Sequence, residues 1–418
     1  MSDMMNLIKA FREKDCPCGQ KHDTSVQDIR IGSGLVHTVG NILKQNGFCR
    51  DLLLVADRQT LAAAAGIEES LKDFSVQYKI YDQIRVAEMS HVEELESLLN
   101  GREIAVLAVG SGSVHDPCRL AAARTGKKLC LFATAPSMDG FASDTAPIVK
   151  EGFKSSYKAK SPEVIIGDTA ILAKAPKELK SAGFGDMIAK YVALVDWRIS
   201  NLLTGEPCCE RVASLTREAT DELMAMADRV TADDEETAGK IFESLIKTGV
   251  GMSFTGNSRP ASGAEHIVAH LIECVQLRDG ILPNYHGEDV GVATLAVLKT
   301  YGELAERESI NTCDDAPDWE DIYAFYGSMA DEVKRLNTSP TVIEGVDKET
   351  LKVCWPQIRA IIKSVPSYDE CLAAMKQAGC KVTVADIGKD PALFDACLHY
   401  SPYMRNRLTL LRLKDMIV

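Results

Sequence analysis

"EIAVLAVGSGSVHDPCRLAAARTG", residues 103–126, decides the fold. Residues 103–110 form an apolar run of strand length with no polar face, as expected for a strand buried on both sides. A glycine-rich turn follows, and then a helical stretch over 116–126. The same alternation continues outward. Toward the N-terminus, "DLLLVAD" (51–57) is a second buried strand. It is followed by helical "RQTLAAAAGIEESLKDF", the strand "SVQYKIYD" and the helix "HVEELESLLNG". Toward the C-terminus come the strands "KLCLFATAPS" (128–137) and "PEVIIGD" (162–168). Strands separated by helices predict a parallel sheet covered on both faces.

The character changes after residue 168. "FGDMIAKYVALVDWRISNLLTG" (184–205) reads as one helix opened near Asp186 and closed by Gly205, and "SLTREATDELMAMADRVTA", "ETAGKIFESLIKTGVGM" and "EHIVAHLIECV" follow with helical periodicity. The expected organisation is an α/β domain over residues 1–174 and an all-helical domain over 175–418. Composition agrees with a large core, at 46% hydrophobic and 26% charged residues. No apolar run approaches the roughly 18 residues of a membrane span. The net charge of −13 argues against nucleic-acid and anionic-membrane partners. With no apolar leader at the N-terminus, the 13 cysteines read as reduced core residues of a cytoplasmic protein.

The turn "AVGSGSVHD" (108–116) suits an anion at a helix N-terminus. Gly110 and Gly112 permit the turn, and Ser111 and Ser113 add hydroxyl donors. It is neither GxGxxG nor a P-loop, and a plain strand-to-helix turn is an equal alternative on this stretch alone. Two features favour a dinucleotide. Asp57 ends the earlier strand, where a carboxylate could bind a ribose hydroxyl and favour NAD, although Arg58 beside it leaves NADP open. "TAPSMDG" (134–140) follows the next strand, at the edge where such sheets bind ligands.

"GAEHIVAHLIE" (263–273) places His266 and His270 four residues apart, on one helix face. Ile267 stands where HExxH needs glutamate, which excludes that motif. His286 opens a later helical pattern. Asp186, His266 and His286 together would make a three-ligand site with an open position, fit for Zn²⁺, Ni²⁺ or Fe²⁺. Spacing alone leaves open whether these segments converge or each residue is a cap or core group.

"GSGSVHD", "TAPSMDGFAS", "GFGDMIAKYVALVDWRIS", "SRPASGAEHIVAH" and "HGEDVGVAT" stand in the order and spacing of the sn-glycerol-1-phosphate dehydrogenases. The chain resembles this branch of the iron-containing alcohol dehydrogenase, glycerol dehydrogenase and dehydroquinate synthase superfamily over about residues 25–300. The resemblance implies a Rossmann-like domain, a dehydroquinate synthase-like helical domain and a cleft between them. It implies metal ligation by Asp186, His266 and His286. It also implies a substrate-facing His270 and substrate contacts from Asp139 and Asp186. The implied NAD contacts are Asp57, Gly110, Ser111, Gly112, Ser113, Val114, Thr134, Ala135, Pro136, Ser137 and Ser143. The implied reaction is NAD(P)H-linked reduction of dihydroxyacetone phosphate to sn-glycerol 1-phosphate, for ether or ester lipid synthesis. A homodimer would be ordinary for such a chain.

In this reading Asp139 orients substrate hydroxyls and His270 positions or relays the proton. Arg259, Lys154, Lys158 and Lys190 are the candidate phosphate partners. Cys16, Cys18 and His22 lie close together in "CPCGQKH". However, C-x-C departs from the usual C-x₂-C knuckle and no second pair follows, so a structural loop is the expected role. Cys208 and Cys209 read as inert packing, and Tyr191 and Trp197 as helix packing. His115 reads as a helix cap, and His37, His91 and His399 have no supporting context. The rival readings are a glycerol dehydrogenase acting on unphosphorylated polyols, a dehydroquinate synthase-like lyase, and a non-catalytic metal- or nucleotide-binding protein.

Overall fold

The computed structural model describes residues 3–13 and 15–418. Helix α1 (Asp3–Glu13) precedes β1 (Asp28–Gly32), α2 (Val39–Gln45), β2 (Asp51–Asp57), α3 (Arg58–Ala63) and α4 (Ile67–Ser70). Next come β3 (Ser75–Tyr81), α5 (Met89–Leu99), β4 (Ala105–Gly110), α6 (Gly112–Thr125) and β5 (Leu129–Ala133). A hairpin of β6 (Thr145–Lys150) and β7 (Phe153–Lys158) intervenes before β8 (Val164–Asp168) and α7 (Thr169–Ala173).

The six-stranded sheet has the order β1-β8-β5-β4-β2-β3, and every pair in it is parallel. Alternate residues explain the continuous apolar strands. Leu53, Val55, Val106 and Ala108 enter one core layer, while Leu52, Leu54, Ala105 and Leu107 enter the layer on the opposite face. Both layers are covered, as the sequence predicts.

Every regular element after β8 is a helix. The central ones are α8 (Lys177–Ile188), α9 (Lys190–Thr204), α10 (Glu210–Met224), α11 (Glu235–Thr255), α12 (Ala264–Arg278) and α13 (His286–Ala305), and shorter helices continue to Leu413. No helix among the described residues is long and apolar enough to cross a membrane.

Two local expectations need correction. The stretch 184–205 is two helices, interrupted at Ala189, and Gly205 closes the second with φ +71°. The first begins at Lys177, just after Pro176, and its opening residues 177–181 carry a single apolar residue, Leu179, too few for a hydrophobic pattern to show. Asp186 therefore sits in the last turn of α8 and not at a helix start. The hairpin β6–β7 was not anticipated either. Its turn places Glu151 and Gly152 at φ +52° and +79°, which lets two short half-polar strands pair tightly. The Cys209 sulfur lies 3.5 Å from Cys16 Sγ.

Candidate active site

The cleft between sheet and helices holds a cavity of ≈ 170 Å³. Gly112 and Ser113 of α6, Met138 and Asp139 after β5, Lys154 of β7, and His266, His270, Glu273 and His286 line it. Paired Gly110 and Ala133 bring the ends of β4 and β5 level, and Thr134 N–H donates to Gly110 C=O at 2.9 Å. The α6 N-terminus and the loop after β5 thus share one edge of the cavity.

Close backbone approach sets the helical wall. A Cβ on Gly183 would lie 2.0 Å from Pro136 O, and one on Gly287 would lie 1.9 Å from Ala182 O. Only glycine lets α8 press at once on the Pro136 loop and on the start of α13. That packing carries Asp186 to both Asp139 and His286.

Asp186 is fully buried. Its Oδ1 accepts from Lys190 Nζ at 2.9 Å and lies 3.1 Å from His266 Nε2, and its Oδ2 accepts from Asp139 N–H at 2.9 Å. One ligand atom each from Asp186, His266 and His286 lies within 4.8 Å of the other two. The outer nitrogens are held by carboxylates: His266 Nδ1 by Glu265 at 2.6 Å and His286 Nδ1 by Glu273 at 2.7 Å. Carboxylates on both Nδ1 atoms leave Nε2 of each ring as the nitrogen that would turn to an ion. Two ligands at about 2.0–2.2 Å from one ion, at angles between about 90° and 110°, stand about 2.8–3.6 Å apart, and the 3.1 Å separation of Asp186 and His266 lies in that range.

His270 stands beside this set, its ring 5.2 Å from His286 and 6.1 Å from His266. Burial, then the charge of Lys154, holds it well below the usual imidazole range. Burial alone would raise the Asp186 carboxyl, but Lys190 and His266 outweigh it and hold it below the ordinary carboxylate range. Asp139 moves up through burial and the repulsion of Asp186. Lys190 resists the opposing effect of burial because both carboxylates hold its proton.

The other expected residues divide into two groups. Ser143 lines the cavity, and Ser113 does so while donating to Ile84 O at 2.8 Å. Gly110, Ser111 and Val114 form the turn into α6, and Thr134, Ala135, Pro136 and Ser137 the loop after β5. Asp57 has another engagement: its carboxylate caps α3 through Thr60 N–H at 2.8 Å. Arg58 pairs with Asp82 at the surface.

The phosphate candidates change most. Arg259 is turned away from the cavity onto Glu206, Ser200 and the Leu408 carbonyl. Lys190 is buried between Asp139, at 2.7 Å, and Asp186. Lys158 pairs with Asp144 outside the cavity lining, so of these four candidates Lys154 alone faces the cavity, paired with Glu273. His115 does not cap a helix; it is fully buried with its ring against Phe141.

Sequence reading missed Glu265, Glu273, Arg405 and Arg407. Glu273 had a signal, seven residues after His266 on the same helix face. Arg405 and Arg407 had none. Arg407 reaches the Ser258 hydroxyl at 2.8 Å and the Ser262 carbonyl at 2.7 Å, behind two serines that line the cavity. Arg405 donates to Lys154 O at 2.7 Å.

The family model described as iron-containing alcohol dehydrogenase matches residues 30–176. A Halalkalibacterium halodurans protein named glycerol-1-phosphate dehydrogenase (NAD(P)+) is 29% identical over 98% of both chains. A Bacillus licheniformis protein of the same name is 32% identical over 73% of this chain and 77% of its own. Among solved structures, an archaeal halo-thermophilic alcohol dehydrogenase from a Red Sea brine pool superposes with a TM-score of 0.63 over 94% of both chains, at 14% identity.

Proposed function

The chain belongs to the glycerol-1-phosphate dehydrogenase family, and from that membership we propose that its cleft performs the reversible NAD(P)H-linked reduction of dihydroxyacetone phosphate to sn-glycerol 1-phosphate with one divalent metal ion. The observation that carries this reading is the meeting of Asp186, His266 and His286 at a cavity whose opposite wall is the α6 N-terminus.

Reduction adds a hydride to the carbonyl carbon and a proton to its oxygen. When bound, the dinucleotide at the α6 N-terminus supplies the hydride, and the ion between Asp186, His266 and His286 supplies positive charge opposite the developing negative oxygen. Lys190 holds Asp139 and Asp186 in place, so that the Asp139 carboxyl receives substrate hydroxyls in a fixed orientation. His270 is neutral near pH 7. An imidazole in that state offers one donor and one acceptor nitrogen, and it passes a proton toward the substrate oxygen without becoming a lasting cation. The carboxylates on His266 and His286 keep both rings from turning.

The substrate phosphate takes the end of the cavity at Lys154, Ser258 and Ser262. Arg405 and Arg407 bond there only to carbonyls and hydroxyls, with no carboxylate partner among the described residues. Burial, then the like charges of Arg259 and Arg405, work against the charge on Arg407. A bound phosphate relieves that cost. Arg407→Ala is expected to raise KM for dihydroxyacetone phosphate about 10- to 150-fold, the loss of about 1.5–3 kcal/mol from a charged hydrogen bond. KM for unphosphorylated dihydroxyacetone should stay within about twofold. Equal losses on both substrates would remove Arg407 from the phosphate site.

The reaction itself is checked by following NADH and NADPH oxidation with dihydroxyacetone phosphate and with dihydroxyacetone, and by analysing product handedness. The expected result is a large preference for the phosphate and a product that is only the sn-1 isomer. Preference for the unphosphorylated ketone would favour a glycerol dehydrogenase instead.

A further inference from the structure

Away from the cleft, four soft ligands meet where the N-terminal segment crosses the helical bundle. Cys16 Sγ lies 3.5 Å from Cys209 Sγ. His22 Nε2 lies 3.3 Å from Cys18 Sγ and 3.3 Å from Cys209 Sγ. All four potential ligand atoms fall within 4.8 Å of one another. We propose that Cys16, Cys18, His22 and Cys209 form a closed tetrahedral Zn²⁺ site that fastens the segment before β1 to the helical domain.

The local backbone is built for this. Cys16 and Cys18 flank Pro17 in a tight turn closed by Gly19 N–H to Cys16 C=O at 2.9 Å, and Gly19 takes φ +74°. The C-x-C spacing argues against a knuckle in sequence, yet the turn gathers both sulfurs on the side that faces His22 and Cys209. Cys209 comes from the N-terminal boundary of α10, 193 residues beyond Cys16.

Distances and tautomer both favour an ion. Zinc with sulfurs at about 2.3 Å and nitrogen at about 2.0–2.1 Å has S···S edges of about 3.8 Å and S···N edges of about 3.6 Å. The 3.5 Å and 3.3 Å separations sit close to those edges. A disulfide needs about 2.05 Å, far less than the sulfurs show. His22 Nδ1 bonds to the Phe254 carbonyl at 3.0 Å. That carbonyl accepts a hydrogen bond from Nδ1–H and leaves the Nε2 lone pair toward the sulfurs, the usual support for a metal-bound imidazole. Three cysteines with one histidine and no open position is the donor set of structural zinc.

The contacts around the cluster say what it fastens. Phe11 of α1 stacks on Phe254 at 4.6 Å, and the Arg211 guanidinium lies over Phe11 at 4.3 Å. A single ion joining the 16–22 loop to α10 holds α1 in that seat. This site is separate from the cleft, so its test is independent of the reaction assigned there.

The test uses the full chain carrying His266→Ala and His286→Ala, which removes cleft binding, produced with zinc supplementation. One zinc per chain, measured by elemental analysis, is expected. X-ray absorption at the zinc edge should show sulfur neighbours at about 2.3 Å in a three-sulfur, one-nitrogen shell. Adding Cys18→Ser or His22→Ala should lower occupancy at least tenfold. Should those additions prevent folding, cobalt loaded into the parent double variant provides the second reading. Intense tetrahedral visible bands with thiolate charge transfer support the site. No zinc in the double variant, an oxygen- and nitrogen-only shell, or a Cys16–Cys209 disulfide by mass would each overturn it.

Discussion

His266→Ala is expected to lower kcat for dihydroxyacetone phosphate reduction by at least about a thousandfold and to abolish metal binding in the cleft. His266 Nε2 is the ligand nearest Asp186, at 3.1 Å, and without it Asp186 and His286 face each other across an incomplete shell. The loss should split by cause. Glu265→Gln keeps the imidazole ligand but weakens the acceptor on Nδ1, so it should cost only about 10- to 100-fold in metal affinity. Excess Zn²⁺ or Ni²⁺ should then restore kcat in Glu265→Gln and leave His266→Ala inactive. Metal content of the dialysed proteins, measured beside kcat, checks both. A His266→Ala protein with wild-type turnover and metal content would remove the three-ligand centre from the reaction.

What the sequence could and could not disclose follows from the range of the interactions. Strands 51–57 and 103–110 were legible because burial on both faces leaves an unbroken apolar run. The hairpin 145–158 was not, since half-exposed strands such as "FKSSYK" look like loop and only the Glu151-Gly152 turn marks them. The parallel sheet and the helical region after it match solved structures of the alcohol dehydrogenase fold. Convergence of Asp186 on His266 and His286 is a different matter. It depends on Gly183 and Gly287 admitting backbone at distances that a Cβ would forbid, and no local pattern announces which glycines do so. Charge was the least legible property. Nothing in the sequence around Arg259, Lys190 and Arg407 separates their roles, yet one pairs with Glu206, one with two aspartates and one with serines of the cavity wall. Cys209 needed a partner 193 residues away to acquire a role.

The reassignment of Lys190 carries the second large effect. Lys190→Met preserves the length and volume of the side chain but deletes the ammonium between Asp139 and Asp186, a pairing in which Lys190 and Asp186 are fully buried and Asp139 opens to the cavity. Removing one member of a buried ion pair costs about 3–5 kcal/mol, because the remaining charge is left without compensation. At about 2–4 °C per kcal/mol for domains of 150–250 residues, the metal-free protein should unfold roughly 10 °C lower. Asp139, already displaced upward by burial and by Asp186, is the group that relieves the strain by taking up a proton. A divalent cation between Asp186, His266 and His286 would restore positive charge beside the same carboxylates. The gap in Tm between chelated and metal-loaded protein should therefore be wider in Lys190→Met than in the wild type. Scanning calorimetry with and without chelator reads this directly. Were Lys190 instead a phosphate ligand at the cavity surface, the substitution would raise KM and leave Tm almost unmoved. A buried counter-ion and a substrate ligand thus predict opposite outcomes for one mutant, and the 2.7 Å and 2.9 Å contacts of the ammonium favour the counter-ion.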